Sequence, residues 1–178
     1  SWTDQFNMIE QDTTLGGVTS KITYSPGSFL PTEIDEYDFG ASSATRKTLV
    51  TYQPITAPGK IVDEPCKTII TDGASHATSE TDRYYDGSST LCGADSGGSN
   101  TTSVTPLPAS HDETKYGPSA GSSVARGNMT KLVRVLAGGA GPTTTFTYDE
   151  TGQVVSMTDP CGNATCSDMT GTTHTATY

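Results

Sequence analysis

Residues 147–163, TYDETGQVVSMTDPCGN, set two turn signals around one short strand, and that spacing points the chain to β structure. Tyr148-Asp149 precedes a turn at Gly152, and 153–158 is a strand-like run. Asp159-Pro160 with Gly162-Asn163 then breaks the pattern again. Tyr, Val and Thr suit a pleated, half-buried surface, whereas Gly, Asp-Pro and Gly-Asn punctuate it. A hairpin of this kind builds architecture and supplies no nucleophile, phosphate cradle or metal cage.

The rest of the chain has the same grammar. Residues 18–24 alternate in the strand manner, with Val18, Ser20, Ile22 and Tyr24 on one face, and Pro26-Gly27 turns the chain. Further strands are expected over 29–38, 48–55, 61–71, 77–85, 129–136, 143–148, 153–158 and 172–178. Residues 1–14 read as a polar N-terminal arm, and 87–123 as a long Gly/Ser/Thr-rich loop. Sustained helical periodicity is absent, and Thr and Val lose rotamer freedom in helices. The expected class is all-β.

The pattern Tyr-Asp, two residues, Gly, a few apolar positions, then Asp-Pro-x-Gly-Asn resembles the YD repeat of the Rhs family. The residues that carry it are Tyr148, Asp149, Gly152, Asp159 and Gly162, and 143–178 is its clearest copy. Shorter copies stand at Tyr37-Asp38 and Tyr85-Asp86, so the resemblance runs along 7–178. It implies antiparallel hairpins stacked into an elongated or curved sheet, with 1–178 as one β-rich unit. It also implies that Tyr24, Tyr37, Tyr52, Tyr85, Tyr148 and Tyr178 pack the sheet instead of stacking on sugars. Such proteins are large secreted or surface scaffolds. This chain is too short to close a shell and lacks the Asp-bearing autoproteolytic core of many, so a segment or a self-assembling subunit is expected.

Threonine is more frequent here than Lys, Arg, Asp and Glu combined, and only 32% of residues are hydrophobic. A thin core is therefore expected, helped by β hydrogen bonding, disulfides and neighbouring repeats or subunits. The formal net charge of −10 repels phosphate and argues against nucleic acid as a partner. No apolar run approaches the roughly 20 residues of a membrane-spanning helix. The opening Ser1-Trp2, without Met, reads as a processed or excised segment.

Cys66, Cys92, Cys161 and Cys166 form an even set that suits an oxidising, extracellular setting. Three pairings are open. Cys161–Cys166 across the DPCGNATC turn and Cys66–Cys92 at the edge of the insertion are favoured. A zinc site on Cys161, Cys166 and His174 competes, but structural zinc wants four compactly spaced Cys/His ligands. Asn100, Asn128 and Asn163 each begin an Asn-x-Thr sequon in or beside a loop and are candidate glycosylation sites.

Catalytic signals are weak. Gly93–Gly98, GADSGG, resembles the segment around the nucleophile of trypsin-like proteases, but His76 lies in a non-matching SHAT context. His111-Asp112-Glu113 and His174 lack a second catalytic group that sequence can place beside them. The carboxylates of PTEIDEYD lack the ligand pattern and glycine of a calcium loop. The expectation is a non-enzymatic extracellular structural protein, a fibre or cell-surface scaffold, with no cofactor and no metal. Its expected partners are copies of itself or adjacent repeats. A carbohydrate- or cell-surface-binding module is the alternative.

Overall fold

The fold comes from a computed structural model that describes residues 9–26, 30–54, 63–93, 101–116, 126–136, 139–164 and 174–178. The strands are β1 (Glu10–Leu15), β2 (Val18–Pro26), β3 (Pro31–Tyr37), β4 (Arg46–Tyr52), β5 (Pro65–Asp72), β6 (Ala77–Tyr85), β7 (Thr101–Thr102), β8 (Met129–Val135), β9 (Thr143–Asp149), β10 (Val154–Thr158) and β11 (Thr175–Thr177). Two single-turn helices, α1 (Glu113–Tyr116) and α2 (Pro160–Asn163), complete the described residues. The chain is all-β in class. Its 11 strands lie in one open sheet in the order β1-β2-β3-β4-β5-β6-β8-β9-β10-β11, with β7 parallel to β9 off that path.

Near-sequential strand order is what short hairpin connections produce. The β1–β2 hairpin turns on Gly16-Gly17, at φ 58° and 80°. Two consecutive positive φ values define a turn whose twist matches its strands, and glycine adopts them without strain. That turn lets EQDTTL pair from Glu10↔Thr23 to Leu15↔Val18. The polar arm expected over 1–14 therefore contains most of a strand. The expected loop 87–123 likewise contains β7 and α1.

The chain divides into two compact units. One holds residues 1–51 and 67–80, the other 52–66 and 81–178, so β5 and β6 contribute to both. In the first unit a ladder of charges crosses β3 and β4. Lys47 Nζ lies 2.9 Å from Glu33 and 3.3 Å from Asp35, and Arg46 lies 3.0 Å from Glu36. Lysine and arginine thus occupy Glu33, Asp35 and Glu36 of PTEIDEYD. Lys47 holds the Glu33 carboxyl below its ordinary pKa.

Threonine does what apolar residues do elsewhere. Directly opposed hydroxyls bond across strands at Thr14–Thr19 (2.9 Å), Thr147–Ser156 (2.6 Å) and Thr158–Thr175 (2.8 Å). Such cross-strand pairs contribute about 0.2–1 kcal/mol each. Among the described residues the buried apolar side chains are Ala44, Cys66, Tyr85 and Tyr148. The buried polar set is longer: Gln53, Glu64, Thr71, Asp82, Asp86, Thr101, Asn128, Thr130 and Glu150. All but Ala44 and Thr71 fall in the second unit. Its interior is a polar network around two tyrosines.

Candidate functional site

The motif residues of 147–163 converge on two turns of the second unit. β9 carries Tyr148 inward, and its hydroxyl donates to the Met129 carbonyl at 2.8 Å, tying β9 to the start of β8. Burial, with the Asp86 charge second, raises the Tyr148 pKa. Asp149 follows at the strand end. Its Oδ1 accepts from the Thr151 N–H (2.8 Å), the Thr151 hydroxyl (2.7 Å) and the Gln153 N–H (3.0 Å). Burial opposes ionisation of Asp149, but these donors outweigh it and hold the pKa below the usual carboxylate value. Gly152 sits at φ 86°. The first turn therefore needs an acceptor at 149 and a left-handed residue at 152.

The second turn is built differently. Asp159 caps α2, its Oδ1 accepting from the Gly162 N–H at 3.0 Å, and Pro160 occupies the first turn. The Gly162 hydrogen bond, aided by His174 against a smaller burial penalty, lowers the Asp159 pKa. A Cβ at Gly162 would collide with Thr158 Cγ2 and stand 2.8 Å from His174 Cβ. Asn163 closes the turn. Its Nδ2 donates to the carbonyls of Thr143 (3.1 Å), Thr158 (3.1 Å) and Asp159 (3.0 Å), and its Oδ1 accepts from the Thr145 hydroxyl at 3.1 Å. One side chain thus binds β9, β10 and α2 together.

Residues 125–164, which span β8, β9, β10 and α2, match the protein family described as RHS Repeat. The chain carries an RHS-repeat segment. No curated protein and no solved structure matches it.

The upstream Tyr85-Asp86 copy shares the tyrosine role of the RHS repeat. The Tyr85 hydroxyl donates to the Pro65 carbonyl at 3.2 Å, 20 residues back, as Tyr148 reaches Met129 19 residues back. Burial, with Glu64 next, pushes the Tyr85 phenol up to about 12. Asp86 departs from Asp149. It is 2% exposed and accepts from three successive backbone N–H groups across the unit. Oδ2 takes Arg126 (2.9 Å) and Gly127 (3.0 Å), and Oδ1 takes Asn128 (3.1 Å). The Asp86 N–H in turn donates to the Asn128 carbonyl at 2.8 Å. The Thr130 hydroxyl completes the latch by donating to the Tyr84 carbonyl at 3.3 Å and accepting from Gly87 N–H at 3.0 Å. Tyr37-Asp38 does neither: Tyr37 is half-buried with Lys21 4.6 Å above its ring, and Asp38 is exposed.

Cys66 and Cys92 form a disulfide, with Cys66 fully buried. Cys161 is also disulfide-bonded, while Cys166 lies outside the described residues. Asp159, Cys161 and His174 do cluster, but a sulfur held in a disulfide is not a thiolate ligand. This removes the zinc alternative built on Cys161, Cys166 and His174. Two sequons conflict with the fold: Asn128 is buried, and glycosylation of Asn163 would take the Nδ2 that holds three carbonyls. Asn100 and Ser96 lie outside the described residues. His76 is exposed and bonds Asp72 at 3.1 Å.

Glu150, Thr130 and the backbone amides of 126–128 escaped sequence reasoning. Their partners lie about 40 or more residues away (Glu150–Val104, Thr130–Tyr84, Asp86–Arg126), and no local pattern marks them.

Proposed function

We propose that this chain is a non-enzymatic structural unit of an extracellular scaffold, which associates with adjacent repeats or further copies by strand addition. One observation supports this most. The motif side chains of the RHS repeat engage the backbone: Tyr148 a carbonyl, Asp149 two amides, Asp159 an amide, Asn163 three carbonyls. Groups committed in this way hold strands in register and leave little for chemistry. The Cys66–Cys92 disulfide supports an oxidising compartment. Among the described residues no helix is long and apolar enough to cross a membrane.

The end strands supply the means of association. Within the described sheet β1 and β11 each pair on one side, and both are exposed along their length. Flanking β11, the His174 carbonyl accepts from the Asp159 N–H and the Tyr178 N–H donates to the Val155 carbonyl of β10. By antiparallel alternation Thr177 turns its N–H to the open side. Sedimentation velocity over rising concentration should show association of the full chain. Thr177→Pro should weaken it, because it removes an edge donor. A strictly monomeric, compact particle at every concentration would remove the assembly reading.

A shallow groove favours a second reading, carbohydrate or cell-surface binding. Phe146, Gln153, Val154, Met157 and Tyr178 line it, and Tyr178 is 77% exposed. Aromatic faces beside a polar group suit a sugar ring. A glycan array with no hits, or hits unaffected by Tyr178→Ala, would eliminate it.

A further inference from the structure

We propose that His111, Glu113 and Glu150 form a binding site for a divalent transition-metal ion, zinc in the first instance. The site would staple the 101–116 excursion to the first turn of the RHS repeat. One ring nitrogen of His111 and one carboxylate oxygen from each glutamate lie within 4.8 Å of one another. Glu150 is 4% exposed. Its Oε1 accepts from the Val104 N–H at 2.5 Å, whereas its Oε2 is buried with no hydrogen-bond partner among the described residues. A buried carboxylate oxygen with no donor is costly unless a cation meets it.

The His111 ring points the same way. Its Nε2 lies 3.1 Å from the Glu150 carbonyl, which can only accept, so Nε2 carries the proton. In the neutral ring Nδ1 is then a bare lone pair. It is buried without a hydrogen-bond partner among the described residues and lies 3.3 Å from Glu113 Oε2, another acceptor. Two acceptors facing each other require a proton or a metal between them. A ligand histidine whose other nitrogen donates to a backbone carbonyl is the arrangement that fixes tautomer and orientation at metal sites. One imidazole and two carboxylates suit zinc better than calcium, which prefers oxygen throughout. Zinc ligands at about 2.0–2.2 Å sit roughly 3.5 Å apart, a closure the half-exposed Glu113 can supply by rotation. A water would fill the fourth position.

The test is zinc titration of the disulfide-intact full chain by calorimetry, beside Glu113→Gln, His111→Gln and a His174→Gln control. One zinc per chain is expected, with affinity falling at least about tenfold in Glu113→Gln and further in His111→Gln, and unchanged in His174→Gln. Zinc should also shift the His111 Nδ1 resonance and leave Nε2 protonated. Glu113 is 54% exposed on its side chain, so its variant keeps the fold and the test remains decisive if His111→Gln unfolds. The proposal is overturned if no saturable binding occurs, or if Glu113→Gln binds like the parent. An imidazolium at His111 in the metal-free chain that persists under excess zinc would overturn it too.

Discussion

Asp86 and Asp149 occupy the same motif position, yet replacing each by asparagine should have very different effects. Asp149 receives all three of its donors on one oxygen, Oδ1. Asparagine keeps that oxygen, so the turn survives and only the charge assistance is lost, which solvent screening at this partly exposed side chain holds to about 0.5–1 kcal/mol in all. Asp86 splits its donors, two on Oδ2 and one on Oδ1. An asparagine there can satisfy one side only and turns its NH₂ against a backbone N–H on the other. An orphaned buried donor costs about 1–3 kcal/mol, and the two retained bonds lose about 1 kcal/mol each with the charge. The sum is roughly 3–5 kcal/mol. Backbone strain does not confuse the comparison, because asparagine accepts the φ of 50° at position 86 as readily as aspartate. In a chain of 178 residues each kcal/mol moves the melting temperature by about 2–4 °C. Thermal melts followed by far-UV circular dichroism should fall about 6–20 °C for Asp86→Asn and less than about 4 °C for Asp149→Asn. Equal drops, or a larger one for Asp149→Asn, would refute the latch at Asp86.

Gly162→Ala should destabilise by about 1–3 kcal/mol through collision with Thr158 and His174, whereas Gly152→Ala should cost a similar amount through φ strain without a clash; chemical denaturation of both, with D-Ala at 152 relieving only the latter, separates the causes. Removing Cys66–Cys92, which closes 26 residues of chain, by a paired Cys66→Ala, Cys92→Ala change should lower stability by about 3.5 kcal/mol on loop entropy, read as a shift in the urea midpoint without reductant, so that the Cys161 disulfide stays intact. Asp149 and Asp159 have folded pKa values below the ordinary 3.8, so their contribution is complete above that value and is lost as pH falls through the folded values. An acid titration of stability should therefore steepen below about pH 4, and the Asp149→Asn, Asp159→Asn pair should flatten that limb.

The hairpins were legible in the sequence because their signals are local. Asp-Pro-x-Gly-Asn and Tyr-Asp-x-x-Gly carry cap, acceptor and glycine within a few residues, and the strands between them show β composition. The Gly16-Gly17 turn is equally local, but the six residues before it carry little apolar signal, so their strand does not show in the sequence. Partnerships were not legible. Nothing near Asp86 marks the amides of 126–128, and nothing near Asn163 shows that its amide spans three elements. Asn128 and Asn163 matched a sequon by composition in a Thr-rich chain, while the fold gives one to the interior and the other to a clamp. No second group can be placed beside His111 and Glu113 from sequence, because Glu150, 39 residues from His111, supplies the buried carboxylate.

Amide hydrogen exchange by NMR tests most directly whether the Tyr-Asp motifs serve as latches in a polar-cored sheet. The N–H groups of Arg126, Gly127 and Asn128 precede β8, and a loop there would exchange rapidly. Protection comparable with the centres of β8 and β9, lost selectively in Asp86→Asn, is the expected result. Exchange of these three amides at open-loop rates in the parent chain would contradict it.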